Sequence, residues 1–81
     1  MSKMRILSSL GDTVIEWDTA QAGTDAVAAK ALKDAERIFR EARQRGATAF
    51  RVDAPEKPAE RIDKFDKFAE QIIVVPRVAG G

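Results

Sequence analysis

The sequence predicts an α+β domain in which one long helix packs across one face of a mixed sheet. Three observations support this prediction. Residues 24–45 carry apolar side chains at helical spacing, short strand-like segments lie on both sides of them, and the most apolar segment, residues 72–75, comes last. A continuous apolar run is typical of a buried central strand. We therefore expect the last strand to be central and parallel to the first.

The first two predicted strands are residues 4–10 and 13–17, and Gly11-Asp12 supplies the tight turn of a hairpin between them. Trp17, the only tryptophan in the chain, ends the second strand. A tryptophan there could anchor a partner. In so small a core, packing over the alanines of the helix is the favoured interpretation.

The helix is predicted from Thr24 to Arg45, with Thr24 as the N-cap, Asp25 in the first turn and Gly46 as a left-handed C-cap. Its apolar side chains share one face, which predicts a stripe directed at the sheet. The stripe consists of Val27, Ala28, Ala31, Leu32, Ala35, Ile38, Phe39 and Ala42.

The opposite face of the helix carries a basic line, which could contact an acidic partner. Acidic residues four positions away from most of these side chains favour a solvated face with ion pairs along the helix. The line consists of Lys30, Lys33, Arg37 and Arg40.

Three more strands are predicted after the helix, with a loop containing Pro55 and Pro58 before the second of them. A helical turn is expected before the last strand, with Phe68 and Ala69 against the core. The strands are residues 48–52, 61–65 and 72–75, the loop is 53–60 and the turn is 66–70. We expect the core to include Ile6, Ile38, Phe39, Ile72 and Val74.

The residue types that are missing restrict the chemistry. The chain has no cysteine, histidine or tyrosine, so it offers no thiolate nucleophile and no imidazole base. Asp63 and Asp66 could form a carboxylate pair, but capping of a loop is the favoured role of Asp66. An independent enzyme is not expected, and neither is a cofactor or a metal site.

The charge and the hydropathy indicate a cytoplasmic monomer. With 14 basic and 13 acidic side chains the net charge is +1, which gives no global reason to bind nucleic acid or a membrane surface. No apolar run has the length of a membrane span.

The sequence ends in Val74-Val75-Pro76-Arg77-Val78-Ala79-Gly80-Gly81, a strand-like run that leads into two glycines. At about 7% glycine per position, two terminal glycines occur by chance in roughly 0.5% of chains. The ends of protein chains often consist of small, disordered residues that have no function, so two terminal glycines alone do not show one.

This order of strands, with a central last strand that runs into Gly-Gly, resembles the β-grasp fold of the ubiquitin-like superfamily. It is especially similar to prokaryotic ubiquitin-like modifiers and to sulfur carriers related to MoaD and ThiS, which end in an apolar strand, a proline-containing segment and Gly-Gly. The resemblance implies a β-grasp domain over residues 1–77 and a flexible diglycine tail over 78–81. Arg77 stands where many sulfur carriers have a second proline, and the helix is longer than is usual in the family.

The resemblance also implies a function. An E1-like or MoeB-like enzyme would adenylate the carboxylate of Gly81, and the absence of a side chain at Gly80 would suit the narrow channel. The product would be a thiocarboxylate for a sulfur-accepting enzyme, or a thioester passed on by an E2-like conjugating enzyme. The residues implied to bind the partner are Pro76, Arg77, Val78 and Ala79.

Two alternatives stay open. The same fold could serve as a non-covalent interaction module or accessory subunit with an incidental Gly-Gly end. The weakest hypothesis is that the chain binds acidic partners or nucleic acid through the basic line, because its net charge is close to zero.

Overall fold

The computed structural model describes residues 1–77, and this part of the chain forms one five-stranded sheet and one helix. The order of elements is ββαβββ, and the strands lie in the order β2-β1-β5-β3-β4. This is the predicted fold class, a mixed α+β fold consistent with a β-grasp arrangement. The elements are β1 Ser2–Ile6, β2 Thr13–Trp17, α1 Ala26–Gln44, β3 Thr48–Val52, β4 Glu60–Ile62 and β5 Gln71–Val75.

The last strand, β5, is central, as predicted. It pairs in parallel with β1 and antiparallel with β3. Its side chains Ile72 and Val74 point towards the helix and are 0% and 1% exposed. A strand with neighbours on both edges and a helix on one face needs this apolar composition.

The core lies between α1 and one face of the sheet. Of the five residues expected there, Phe39, Ile72 and Val74 are buried, and Ile6 and Ile38 pack half-buried against them. Trp17 is also buried, with its ring 5.1 Å from the ring of Phe65. The Trp17 Nε1–H donates to the carbonyl oxygen of Lys67 at 3.0 Å, so its one polar group is satisfied.

The N-terminal end of the helix differs from the prediction. Asp25, rather than Thr24, is the N-cap, and its carboxylate accepts from the N–H of Val27 at 2.9 Å. Val27 is 78% exposed and does not belong to the core stripe. Ala31 and Leu32 pack half-buried against the core, and the first fully buried helix residue is Ala35.

Two strands are shorter than predicted. β1 ends at Ile6 instead of residue 10, because Ser8 accepts hydrogen bonds that form a turn, and Leu10 is 97% exposed. β4 ends at Ile62, and Phe65 lies beyond it in the core-facing loop.

The segment 66–70 forms a turn rather than a helix. The carboxylate of Asp66 accepts from the N–H of Phe68 at 2.9 Å, which confirms a capping role for Asp66. This turn directs Phe68 outward, where it is 71% exposed, and buries Ala69 completely. The prediction that Phe68 touches the core is therefore wrong, and that for Ala69 is confirmed.

Candidate functional site

The candidate site is the point where the chain leaves the centre of the sheet after β5. The strand is hydrogen-bonded up to its end: Val75 pairs with Thr48 on β3, and the carbonyl of Val74 accepts from the N–H of Leu7 at 3.0 Å. Pro76 has no N–H to continue the ladder, so pairing stops there. Pro76 and Arg77 are exposed.

Four of the six site residues expected from the sequence lie outside the described residues. They are Val78, Ala79, Gly80 and Gly81. The structure therefore describes only the first part of the site, which is Pro76, Arg77 and the surfaces around them.

The side chain of Arg77 lies against Gly46, the residue that follows the helix C-cap. Gly46 has φ +92°, the left-handed conformation expected for it. A Cβ at this position would lie 3.1 Å from Cδ of Arg77, which is closer than ordinary contact. Gly46 therefore both ends α1 and gives room to the first residues after β5. The sequence indicated the first role and carried no signal for the second.

The surface where the chain leaves β5 is basic. Arg45 and Arg77 line a shallow pocket of about 260 Å³ together with Ala42, Ala47 and Pro76, among others. Neither arginine forms an ion pair with a carboxylate of residues 1–77. Positive charge at a helix C-terminus is favourable, and these guanidinium groups are accessible to an acidic group on a partner.

The sheet face opposite the helix is not covered by any element of the described chain. At its centre Phe50 pairs with Ile73, and Val75 follows on the same side of β5; these three residues are apolar and half-buried. Arg5 lies cross-strand from Ile73 and Arg61 cross-strand from Phe50, so arginines flank the apolar residues. Because side chains alternate along a strand, these residues point away from the core. The apolar face leads along β5 directly to Pro76.

The helix surface carries the ion pairs predicted for part of its basic line. Lys30 pairs with Asp34 at 2.8 Å and Arg37 with Glu41 at 3.2 Å. The hydrogen bond from Lys30 lowers the pKa of Asp34 below its usual value. These four side chains satisfy one another on the solvated face, which weakens the case for the basic line as a binding surface.

A second charged cluster, missed from the sequence, surrounds Arg51 on β3. Its Nε–H donates to both carboxylate oxygens of Asp53 at 2.9 Å, and its guanidinium also pairs with Asp66. The hydrogen bond from Arg51 lowers the pKa of Asp53. Asp63 instead pairs with Arg43 at 3.1 Å. Asp63 and Asp66 thus bind different arginines and do not form a carboxylate pair.

The described residues contain no group of three or more acidic side chains arranged to hold a metal ion. No helix within residues 1–77 combines the length and the apolar character that a membrane span requires.

Comparison of the chain with protein-family models, with curated proteins and with solved structures gives no match. The features that can indicate a function are therefore the fold, the residues where the chain leaves β5 and the open sheet face.

Proposed function

We propose that this chain is a ubiquitin-like modifier or sulfur carrier, and that its reactive group is the carboxylate of Gly81. The observation that carries the proposal is the position of β5: the central strand runs out of the sheet, through exposed Pro76 and Arg77, towards Gly80-Gly81. The proposal requires Gly81 to end the mature protein with a free carboxylate. Intact mass of the purified protein tests this requirement.

In the proposed reaction, a carboxylate oxygen of Gly81 attacks the α-phosphorus of ATP in an E1-like or MoeB-like enzyme. The bond to the β-phosphate breaks, pyrophosphate leaves, and an acyl-adenylate remains. A thiolate of the enzyme, or a hydrosulfide equivalent from a sulfur donor, then attacks the carbonyl carbon and AMP leaves. The product is a thioester or a thiocarboxylate, and its sulfur comes from the partner because this chain has no cysteine.

The fixed parts of the molecule suit this reaction. β5 is held on both edges, so a partner that grips the sheet also fixes the direction in which the tail enters its channel. Phe50, Ile73 and Val75 form an apolar docking face next to that exit. Arg77 and Arg45 could bind acidic residues at the channel entrance.

The decisive experiment is incubation of the full chain with ATP and an E1-like or MoeB-like adenylating enzyme from the same genome, followed by intact-mass spectrometry. Deletion of Gly81, or Gly80→Leu, should abolish the adenylate and every later product. Gly23→Leu is the matched control, because Gly23 is exposed and a Cβ at this position would meet no atom within 4 Å. We expect unchanged thermal unfolding for all three variants, since none removes a buried side chain. Undiminished product from the Gly81-deleted protein would refute the proposal.

Phe50→Lys tests the docking step in the same assay. It places a charge on the open face without changing residues 76–81, and should raise the KM for this protein as substrate while the adenylate still forms at high concentration.

The second candidate function is a non-covalent interaction module. The uncovered apolar sheet face favours it, because such a face can bind a partner without any reaction at Gly81. Partner capture that survives deletion of Gly81 but is lost with Phe50→Lys, with no mass change in the presence of ATP, would identify this function.

A further inference from the structure

A groove lies between the C-terminal half of α1 and residues 62–68. It consists of two adjoining open cavities of about 730 and 370 Å³, and both are lined from these two segments. Phe65 lies in both cavities, half-buried, with its ring packed edge-on against Phe39. The groove therefore leaves part of the aromatic core within reach of a partner.

Phe68 lines the larger cavity and is 71% exposed, more than any other aromatic side chain of residues 1–77. Hydrogen bonds hold the backbone on one side of it. The carbonyl oxygen of Lys67 accepts from Trp17 Nε1–H at 3.0 Å and from the hydroxyl of Thr19 at 2.6 Å. On the other side, Ala69 is completely buried. A ring that is exposed although its backbone is held in place loses little entropy when a partner covers it, which is favourable for an anchor of binding.

The charged side chains that line the groove leave an excess of positive charge. Asp63 pairs with Arg43, and both line the groove. Asp66 pairs with Arg51, which approaches it from β3. Three cations and one carboxylate of the lining form no ion pair within residues 1–77: Arg40, Lys64, Lys67 and Glu36. The groove is therefore complementary to an acidic partner.

We propose that this groove is a docking surface for an acidic segment of a partner protein that carries one aromatic anchor. The anchor would pack against Phe68 and Phe65. Carboxylates on both sides of the anchor would pair with Lys64 and Arg40. Lys67, whose Nζ lies 5.3 Å from the centre of the Phe68 ring, would place a third cation beside the anchor.

The charge and the shape of the groove select this occupant. Two copies of the chain that met groove to groove would bring like charges together. A single-stranded nucleic acid is held by several exposed aromatic rings on which successive bases stack, whereas Phe68 stands alone. A membrane surface is flat and would contact exposed Phe68 without covering half-buried Phe65.

This docking surface does not rest on the reaction proposed for Gly81. Phe68 precedes the start of β5, whereas Pro76 follows its end, so the two residues lie at opposite ends of the central strand. The test of the groove needs neither ATP nor an adenylating enzyme.

The test uses the full chain and a short capped peptide in which glutamates flank one central phenylalanine. Two control peptides change one feature each: glutamine replaces every glutamate, or alanine replaces the phenylalanine. Binding is measured by NMR titration of the backbone amides. We expect the first peptide to bind, to shift the amides of residues 36–43 and 62–68, and to lose affinity as salt is added. Both control peptides should bind at least about fivefold more weakly.

Variants of the chain separate the anchor from the charge. Phe68→Ala should weaken binding at least about fivefold, whereas Leu10→Ala, which truncates an exposed apolar side chain between β1 and β2, should have no effect. Lys64→Gln should weaken binding about two- to fivefold. Lys3→Gln, which removes an exposed cation of β1, is its control and should bind like the unmodified chain.

Glu36→Gln makes the opposite prediction. It removes the unpaired carboxylate of the groove and should strengthen binding about two- to threefold. A gain of affinity separates the proposed role of charge from a loss of structure, which could only weaken binding.

Several results would overturn the proposal. They are absence of binding at millimolar peptide, equal binding of the glutamine peptide, undiminished binding by Phe68→Ala, or shifts confined to Phe50 and Ile73. Binding of an oligothymidine strand or of phosphatidylserine vesicles, without binding of the peptide, would assign the groove to another class of ligand. Concentration-dependent dimerisation that Phe68→Ala abolishes would assign it to a second copy.

Discussion

Small side chains set how closely the helix approaches the sheet. Half of the ten buried apolar residues in the described chain are alanines: Ala35, Ala42, Ala47, Ala49 and Ala69. With so many small residues in the interior, most of the buried volume comes from a few large side chains. Truncation of any one of these large side chains should therefore strongly lower the free energy of unfolding.

Phe39 is the large helix residue in this core, 3% exposed and packed edge-on against Phe65 with ring centroids 5.7 Å apart. We predict that Phe39→Ala lowers the free energy of unfolding by about 3–5 kcal/mol, which is a large part of the stability of a small domain. Phe68→Ala is the matched control, because Phe68 is 71% exposed and its truncation should cost about 0.5 kcal/mol or less. Urea unfolding of both variants measures the difference, and equal midpoints would show that the helix is wrongly oriented.

Gly46 is constrained twice, by its positive φ and by the side chain of Arg77. We predict that Gly46→Ala destabilises the domain by about 1–2 kcal/mol, because an L-residue avoids this backbone region. Gly23→Ala, in open space and without a positive φ, should be close to neutral.

The double variant Gly46→Ala with Arg77→Ala separates the two constraints on Gly46. If the contact with Arg77 contributes to the cost, removal of the Arg77 side chain restores part of the stability in thermal unfolding. An unchanged cost would assign the whole effect to the backbone.

Among the elements, the loop before β4 depends on charged side chains more than on apolar packing, because none of residues 53–59 is buried. Arg51 links Asp53, which opens the loop before β4, to Asp66 in the turn after it. Asp53 also accepts weakly from the N–H of Glu70, at 3.4 Å, at the approach to β5. These contacts connect the loop before β4, which has no buried residue, to the turn that carries Phe65 and Ala69 into the core.

The Arg51 cluster predicts a dependence of stability on acid pH. Its hydrogen bond holds the pKa of Asp53 below the usual 3.8, so the ionised form is favoured in the folded state. The resulting stabilisation is present above pH 3.8 and is lost as the pH falls through the lower, folded-state pKa. Asp53→Asn should therefore be less stable than the unmodified chain at pH 7, and this difference should shrink in acid.

Urea unfolding at a series of pH values measures this effect. Glu56→Gln, which removes an exposed negative charge outside any ion pair of residues 1–77, is the control and should show a constant, small difference. A constant difference for Asp53→Asn as well would contradict the role of Arg51.

The strands differ in how well the sequence predicted them, for physical reasons. β2, β3 and β5 lie where expected because alternation or a continuous apolar run is a local signal. β1 and β4 end earlier than predicted. Leu10 and Phe65 are residue types that are common in strands, so the sequence pattern includes them although neither lies in a strand. Serine hydrogen bonds turn the chain before Leu10, and Phe65 is more stable against Trp17 and Phe39 than in a strand.

At the scale of the whole molecule, the central place of β5 followed from composition alone, whereas the surroundings of its exit did not. Contact between Arg77 and Gly46 joins residues far apart in sequence, and no local pattern encodes it. The groove between α1 and residues 62–68 likewise became visible only in the folded chain, because the two segments are distant in sequence. Pro76 and Arg77 could be proposed as site residues from the sequence, but their basic neighbour Arg45 could not.

The pairing of β1 with β5 has a consequence for the time course of folding. β1 and β5 are neighbours, so until residues 71–75 have left the ribosome no strand joins the pair β1-β2 to the pair β3-β4 in one sheet. Isolated two-stranded hairpins are marginal in water, and contacts between distant residues form slowly. The domain should therefore acquire its structure only after residues 71–75 have emerged, and a chain that stops before them would offer the proposed activating enzyme no folded surface to bind.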